Sequence, residues 1–495
     1  MAADGRFELF QGFIYGILAN QTSREQFDRL RSMRDNVNWD REVERRELFD
    51  RLRDLFWGWN ERLPNLRDIF RRDEMDWLLA EYVKTDDAKS PPHPILHFAI
   101  AAGYRDEPEL GPDGKPSSAR RTTPLHQLFK FCTFPYWNFV ARDLFQIYNR
   151  FDVNYADERG RTHFHAACKY GCNEAVRRFL ESGLDLKRLA RETDPTVIDP
   201  PLHLALDNQN EEVFKLLLKH GADPNSANEF GETPLHEIST YDGLQGFGKI
   251  LFEISDERNQ TLRVDARNSR GLTPLHFAVE YFQPDTLELL LNRGADMSDF
   301  VFPRDCFEDD EPYDYKECDA NLIMAYRMLE VIELLEKKGY VMDRTDGFMI
   351  VSWMQRYFFA VEIQDFDFWG RHGNLVDRTK ELTVIPSLSL YDLIEMRSDE
   401  AKRLLAHKDY HEFVTSNEFR QLPHKFREDC LPRLCEKMCR KFFWRWALEP
   451  LLEFTRQRLP ILCCEKIMNY LKNEDLYTVF ETVEMYGEDY FVEDA

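Results

Sequence analysis

Leu216-Leu217-Leu218-Lys219-His220-Gly221-Ala222-Asp223-Pro224-Asn225, followed by Gly231-Glu232-Thr233-Pro234-Leu235-His236, joins the end of one apolar-faced helix to the start of the next. Gly221 suits the left-handed residue that stops a helix, because glycine reaches positive φ without a Cβ clash. Thr233 suits the N-cap, and Pro234 the first helical position, where a missing N–H costs nothing. Leu235 then points inward, while the Leu216 to Leu218 triplet needs a neighbour to cover it. The same order returns at Leu289-Leu290-Leu291-Asn292-Arg293-Gly294-Ala295-Asp296. Thr-Pro-Leu-His recurs at Thr123 to His126 and Thr273 to His276, with degenerate copies at Leu96-His97, Thr162-His163-Phe164-His165 and Pro201-Leu202-His203. A recurring unit that cannot bury its own apolar face predicts a stack of helical pairs.

The six motif histidines, His97, His126, His165, His203, His236 and His276, are spaced around the ~33 residues of an ankyrin unit, with longer intervals marking insertions. The pattern resembles the ankyrin repeat. That resemblance implies an all-α solenoid of about six repeats, some degenerate, over residues 91–300, whose surface binds a target protein. Turn tips between repeats are exposed by construction and not needed for the stack. Phe230 and Arg270, each just before a repeat glycine, are therefore candidate target contacts.

On the N-terminal side, residues 1–90 carry a helical period without the repeat, as in Phe10, Phe13, Ile14, Ile17 and in Leu48, Phe49, Leu52, Leu55, Phe56, Trp59. They read as a helical cap. Tyr104 to Arg121 reads as a loop; its Gly111, Gly114 and Lys115 lack the spacing and the following hydroxyl of a phosphate-cradling loop. Beyond Phe300 the repeat grammar stops, and 301–386 reads as a helical connecting region. It opens on an acidic, solvated loop at 307–319, continues as a helix from Leu322 to Leu335 ending at Lys337, Lys338 and Gly339, and is aromatic-rich over 340–386.

From Ser387-Leu388-Ser389-Leu390-Tyr391-Asp392-Leu393-Ile394 the pattern is helical again, and near the end stands Arg458-Leu459-Pro460-Ile461-Leu462-Cys463-Cys464-Glu465-Lys466-Ile467-Met468-Asn469-Tyr470-Leu471. Pro460 suits a helix start, with Cys464, Ile467, Met468 and Leu471 on one face. Asp475 suits the cap of a second helix bearing Leu476, Val479, Phe480 and Val483. A Leu-Pro opening, a one-faced helix and a following Asp-Leu resemble the F-box. With the preceding repeats they resemble the PRANC family, pox-type ankyrin proteins with a C-terminal F-box-like domain, here 387–485 before an acidic tail at 486–495. The resemblance implies a Skp-type adaptor and a cullin-RING ubiquitin ligase as partners, gripped through Leu459, Pro460, Cys464, Ile467, Met468, Leu471 and Leu476. The alternative is an ankyrin scaffold or inhibitor that masks a signalling protein of Rel type without a ligase.

Composition narrows the function. Among 495 residues, 89 Asp and Glu outweigh 65 Lys and Arg, a net charge of -24, so nucleic acid is repelled and is not an expected partner. No stretch has the ~18 apolar residues of a membrane span, and the start lacks a signal peptide, which leads to an expectation of no membrane and a place in the cytoplasm or nucleus. Ten scattered cysteines fit reduced thiols, and the sequons at Asn20 and Asn259 are then expected to stay unmodified. His163, His165, Cys168 and Cys172 have zinc-ligand chemistry, yet His165 fills the repeat slot and the others are expected on the same helix; like Cys430, Cys435 and Cys439, they read as packing residues. A histidine that recurs six times is a structural device, and no nucleophile elbow or His-Glu-x-x-His motif is present. No catalytic residue, cofactor or metal is expected.

Overall fold

The computed structural model describes residues 25–59, 62–85, 93–108, 120–130, 135–192, 194, 196, 198–304, 307, 319–358 and 368–486. Phe10 to Ile17, the stretch containing Gly111 to Lys115, 308–318 of the acidic loop and the tail from 487 lie outside the described residues. Helices dominate, and the one sheet among the described residues is a two-stranded hairpin, Thr383–Ile385 with Leu388–Ser389. The fold is all-α and built on a repeat solenoid. By contacts the chain divides into two compact units, residues 1–238 with 243–271, and residues 239–242 with 272–495.

In the first unit, helices Glu42–Trp57 and Arg72–Thr85 pack on Ile95–Ala101, the first repeat helix. The aromatic period explains this. Phe56 stacks on Phe98 at 4.0 Å, and His93 stacks on Phe49 at 3.9 Å while its Nε2 lies 2.7 Å from the Phe49 carbonyl. The cap is also tied on by charge: Arg121 bridges Asp76 of the cap helix and Asp106 of the loop after the first repeat helix, and Tyr148 donates to Asp76 at 2.7 Å.

Helical pairs follow: His163–Lys169 with Asn173–Glu181, Pro201–Asp207 with Glu211–Lys219, and Pro234–Ile238 with Gln245–Glu257. First helix stacks on first helix and second on second, so Leu217 and Leu218 are buried by the neighbouring pair as the leucine triplet requires. Gly221 and Gly294 stop their helices at φ of 90° and 87°.

In the second unit, Pro274–Glu280 and Pro284–Asn292 form the last repeat pair, and Pro284–Asn292 packs on Ala320–Lys337. That contact explains why the unit boundary falls before the end of the repeat grammar. A 31-residue helix, His424–Phe454, is the spine, and Ala320–Lys337, Arg344–Phe358, Ser398–Leu404, Ile461–Met468 and Asn473–Tyr486 pack on it. Cys430, Cys435 and Cys439 are buried along it. Where Arg344–Phe358 meets the spine, a Cβ at Gly347 would stand 2.4 Å from the Trp446 ring. Gly347→Ala is therefore expected to destabilise this unit by about 1–3 kcal/mol, read as a fall in its thermal midpoint; an unchanged midpoint would mean that Trp446 swings aside freely.

Two sequence expectations are corrected here. Leu388–Ser389 is a strand, and the helix begins only at Leu390, because Ser389 serves as its N-cap and accepts from the Asp392 N–H. The last helix begins at Asn473, so Asp475 is inside its first turn, where its carboxylate accepts from Lys472 N at 2.7 Å.

Candidate protein-binding sites

The repeat motif builds a rigid frame before it builds a surface. In four copies the Thr N–H donates to the histidine Nδ1, at 2.9 Å for His126, 3.2 Å for His165, 3.0 Å for His236 and 3.2 Å for His276. An Nδ1 held as acceptor places the proton on Nε2, and the Nε2 of His126 lies 3.2 Å from the Tyr155 carbonyl in the following finger. Each such histidine thus caps its own helix, and in His126 the ring also ties down the next turn. Burial of this neutral ring lowers the His126 pKa and takes His165 down to about 3.

The copy with Pro200 in place of Thr behaves oppositely. Proline offers neither N–H nor hydroxyl, so His203 Nδ1 instead sits 2.7 Å from Glu237 Oε2 of the next repeat, with Nε2 2.9 Å from the Ser226 carbonyl. Burial disfavours charge on His203, but the Glu237 carboxylate outweighs it and the pKa is raised. Pro94 likewise precedes Ile95–Ala101, and His97 stands half-buried, 3.3 Å from Asp143.

The zinc-like residues are engaged elsewhere. His165 Nδ1 is taken by Thr162, and His163 Nε2 lies 2.6 Å from Thr123 Oγ1. Cys172 is not on the helix of the other three but is the N-cap residue of Asn173–Glu181, and burial pushes its thiol up to about 12. Among the described residues no group of three or more His, Cys, Asp or Glu side chains is arranged to hold a metal. No described helix is long and apolar enough to cross a membrane.

Above this frame the fingers present their tips. Asn228 Oδ1 accepts the Phe230 N–H at 2.9 Å, and Asn268 Oδ1 accepts the Arg270 N–H at 3.0 Å, so both residues occupy the same slot of adjacent fingers. The fingers are joined by Ser269 N donating to Phe230 O at 2.9 Å. Phe230 is 56% exposed and Arg270 is also exposed. The sequence reading missed Arg159, which fills this slot two fingers before Phe230: Asp157 Oδ1 accepts its N–H at 3.0 Å, and it is exposed. The shared spelling Asp/Asn-x-x-Gly at 157–160, 228–231 and 268–271 was the available signal.

The C-terminal hairpin has two faces. Cys464 and Met468, one turn apart on Ile461–Met468, and Leu476 on the next helix are buried to within 1%. The joint between the two helices is fastened to the spine by Arg440, which donates to the Met468 carbonyl and, at 3.1 Å, to Asn473 Oδ1, and by Asn473 Nδ2 donating to the Glu436 carbonyl at 2.8 Å. Burial lowers the Arg440 pKa. Cys464, Met468 and Leu476 are therefore corrected from docking residues to core residues: the Arg440 and Asn473 bonds turn this face of the hairpin onto the spine. Leu459 and Leu471 are half-buried, and Pro460 is exposed. The outward face is apolar too, with Leu462 71%, Ile467 40% and Tyr470 79% exposed, and Ile461 55% exposed beside it. The Arg397 guanidinium lies 4.6 Å from the centre of the Tyr470 ring.

Comparison with known proteins bears on the repeat region. A family profile described as ankyrin repeats, in three copies, matches residues 138–228 and 202–300. The chain carries ankyrin repeats. It is similar to B-cell lymphoma 3 protein of Homo sapiens, 35% identical over 148 residues, which is 29% of this chain and 30% of that protein. It is also similar to alpha-latrotoxin-Lg1a of Latrodectus geometricus, 28% identical over 27% of this chain and 9% of the toxin, and to neurogenic locus notch homolog protein 1 of Mus musculus, 34% identical over 24% of this chain and 4% of that protein. The chain thus spans less than a third of any of these relatives. What they share with it is ankyrin sequence, a protein-binding module.

Proposed function

We propose that this chain is a non-enzymatic adaptor whose ankyrin fingers hold a target protein and whose C-terminal hairpin is gripped by the Skp-type adaptor of a cullin-RING ubiquitin ligase. The observation that carries the proposal is the outward face of the hairpin, where Leu462, Ile467 and Tyr470 stand exposed although the helix is already seated by Cys464 and Met468. A second apolar face on an anchored helix suits a partner helix or groove, in keeping with the F-box-like spelling around Leu459 and Pro460. Its mechanism is proximity: one chain holding both target and ligase raises the effective concentration of target lysines.

Affinity purification of the full chain from cells, read by mass spectrometry, tests this. A Skp-type adaptor and a cullin are expected with the unaltered chain and are lost on Ile467→Asp, while target proteins remain. The likeness to B-cell lymphoma 3 protein favours a second reading, an ankyrin scaffold that masks a signalling protein with no ligase. Targets without any adaptor in the unaltered sample would select it.

A further inference from the structure

Between the second helices of two successive repeats, Pro135–Ile147 and Asn173–Glu181, lies an open groove of about 540 Å³ whose floor includes Phe145 and Phe151 and whose rim carries Arg105, Arg142 and Arg178. It shares no residue with the finger tips. In a chain of net charge -24, three guanidiniums facing a single rim carboxylate, Glu174, are a local reversal of sign. Glu174 takes up Arg178 at 2.7 Å, and Arg178 also lies 5.5 Å from the Phe151 ring. Arg142 leans over Phe139 at 5.8 Å, and Arg105 donates to the Tyr104 carbonyl at 2.7 Å. Neither has a carboxylate partner among the described residues.

We propose that this groove is a second peptide-binding site, which takes an acidic segment of a partner protein bearing an aromatic or large apolar side chain. The apolar side chain covers Phe145 and Phe151, and the flanking carboxylates meet the Arg105 and Arg142 forks. Guanidinium forks match carboxylates two bonds at a time, and the volume is that of a site enclosing a few side chains. Charge complementarity selects an acidic segment, and long-range repulsion between two chains of net charge -24 weighs against a second copy as its source.

The test is fluorescence anisotropy with a labelled heptapeptide alternating Glu and Phe, and with the same peptide carrying Lys for Glu. The acidic peptide is expected to bind saturably and more weakly as salt rises, and the basic one not to bind. Arg105→Glu with Arg142→Glu should weaken binding about tenfold or more, whereas Arg188→Glu, on an exposed helix outside the groove, should leave it unchanged. Leu462→Asp should also leave it unchanged, which separates this site from the ligase proposal. No saturable binding, or equal binding by the double variant, would overturn the proposal. So would binding that appears only after removal of residues 487–495, which would assign the groove to this chain's own acidic end, or a dimer that the double variant abolishes.

Discussion

Arg121→Met is expected to loosen the helical cap from the repeats, costing the first unit about 3 kcal/mol or more. Arg121 is the cation between two carboxylates. Its guanidinium reaches Asp76 and, at 2.8 Å, Asp106, and Arg72 stands 3.5 Å from Asp106 as a weaker second partner. Burial raises the Asp76 pKa, and the Arg121 charge opposes that rise. Methionine fills the space but leaves both carboxylates in place, and a buried charge stripped of its partner costs far more than the pair is worth against an apolar replacement. Hydrogen exchange should therefore quicken in Arg72–Thr85 and around Thr123, with slow exchange kept in the second unit. Adding Asp76→Asn and Asp106→Asn should restore part of the loss. Unchanged exchange in Arg121→Met would show that the cap is held by its aromatic contacts alone.

The first unit is also expected to lose stability on acidification from pH 6.5. His93, His126, His163 and His165 are buried, and in each of them burial lowers the pKa, to about 4 for His93 and about 3 for His165. A histidine whose folded pKa is depressed contributes stability that is complete above its unfolded value of ~6.5 and drains away as pH falls toward the folded value. Between pH 6.5 and 5.5, His93 and His165 each remove about 1 kcal/mol, and His126 and His163 act in the same direction. His203 has the opposite sign: its raised pKa contributes stability below its unfolded value that is lost as pH rises. The buried carboxylates Asp76, Asp207 and Glu237, whose pKa burial raises, act with His203; the four histidines are expected to outweigh these groups where imidazole titrates. The urea midpoint of the first unit should fall steadily from pH 7.5 to 5.5, and a flat or rising midpoint would mean that water or local opening already reaches these rings.

How far the sequence spoke for the fold depended on whether backbone chemistry repeated. Thr123, Pro124 and His126 each have a job that can be stated from the residue alone, a cap, a first-turn position and a repeated structural histidine, and the structure adds that the histidine acts through Nδ1. Gly221 is legible for the same reason. The departure of His203 from its siblings was also spelled out, since Pro200 cannot donate, but its new partner Glu237 lies 34 residues on and no local rule points to it. The length of the spine helix His424–Phe454 went unread, although Cys430, Cys435 and Cys439 read as one helix face, because it is buried on several sides and contains Pro432 and Pro450, which blur the one-sided period by which helices are recognised. At the hairpin, periodicity found an apolar stripe but not its direction. Cys464 and Met468 face the spine, Leu462 and Tyr470 face away, and only the position of Arg440 and Asn473 decides which is which.

The most direct measurement is light scattering during size-exclusion chromatography of the purified full chain mixed with a purified Skp-type adaptor. If the outward face of Ile461–Met468 is the docking surface, a one-to-one complex elutes with the unaltered chain and is absent for Leu462→Asp with Tyr470→Asp, whose circular dichroism stays unchanged because both positions are exposed. Adaptor eluting free from the unaltered chain, or a complex indifferent to the double substitution, would contradict the ligase-adaptor assignment.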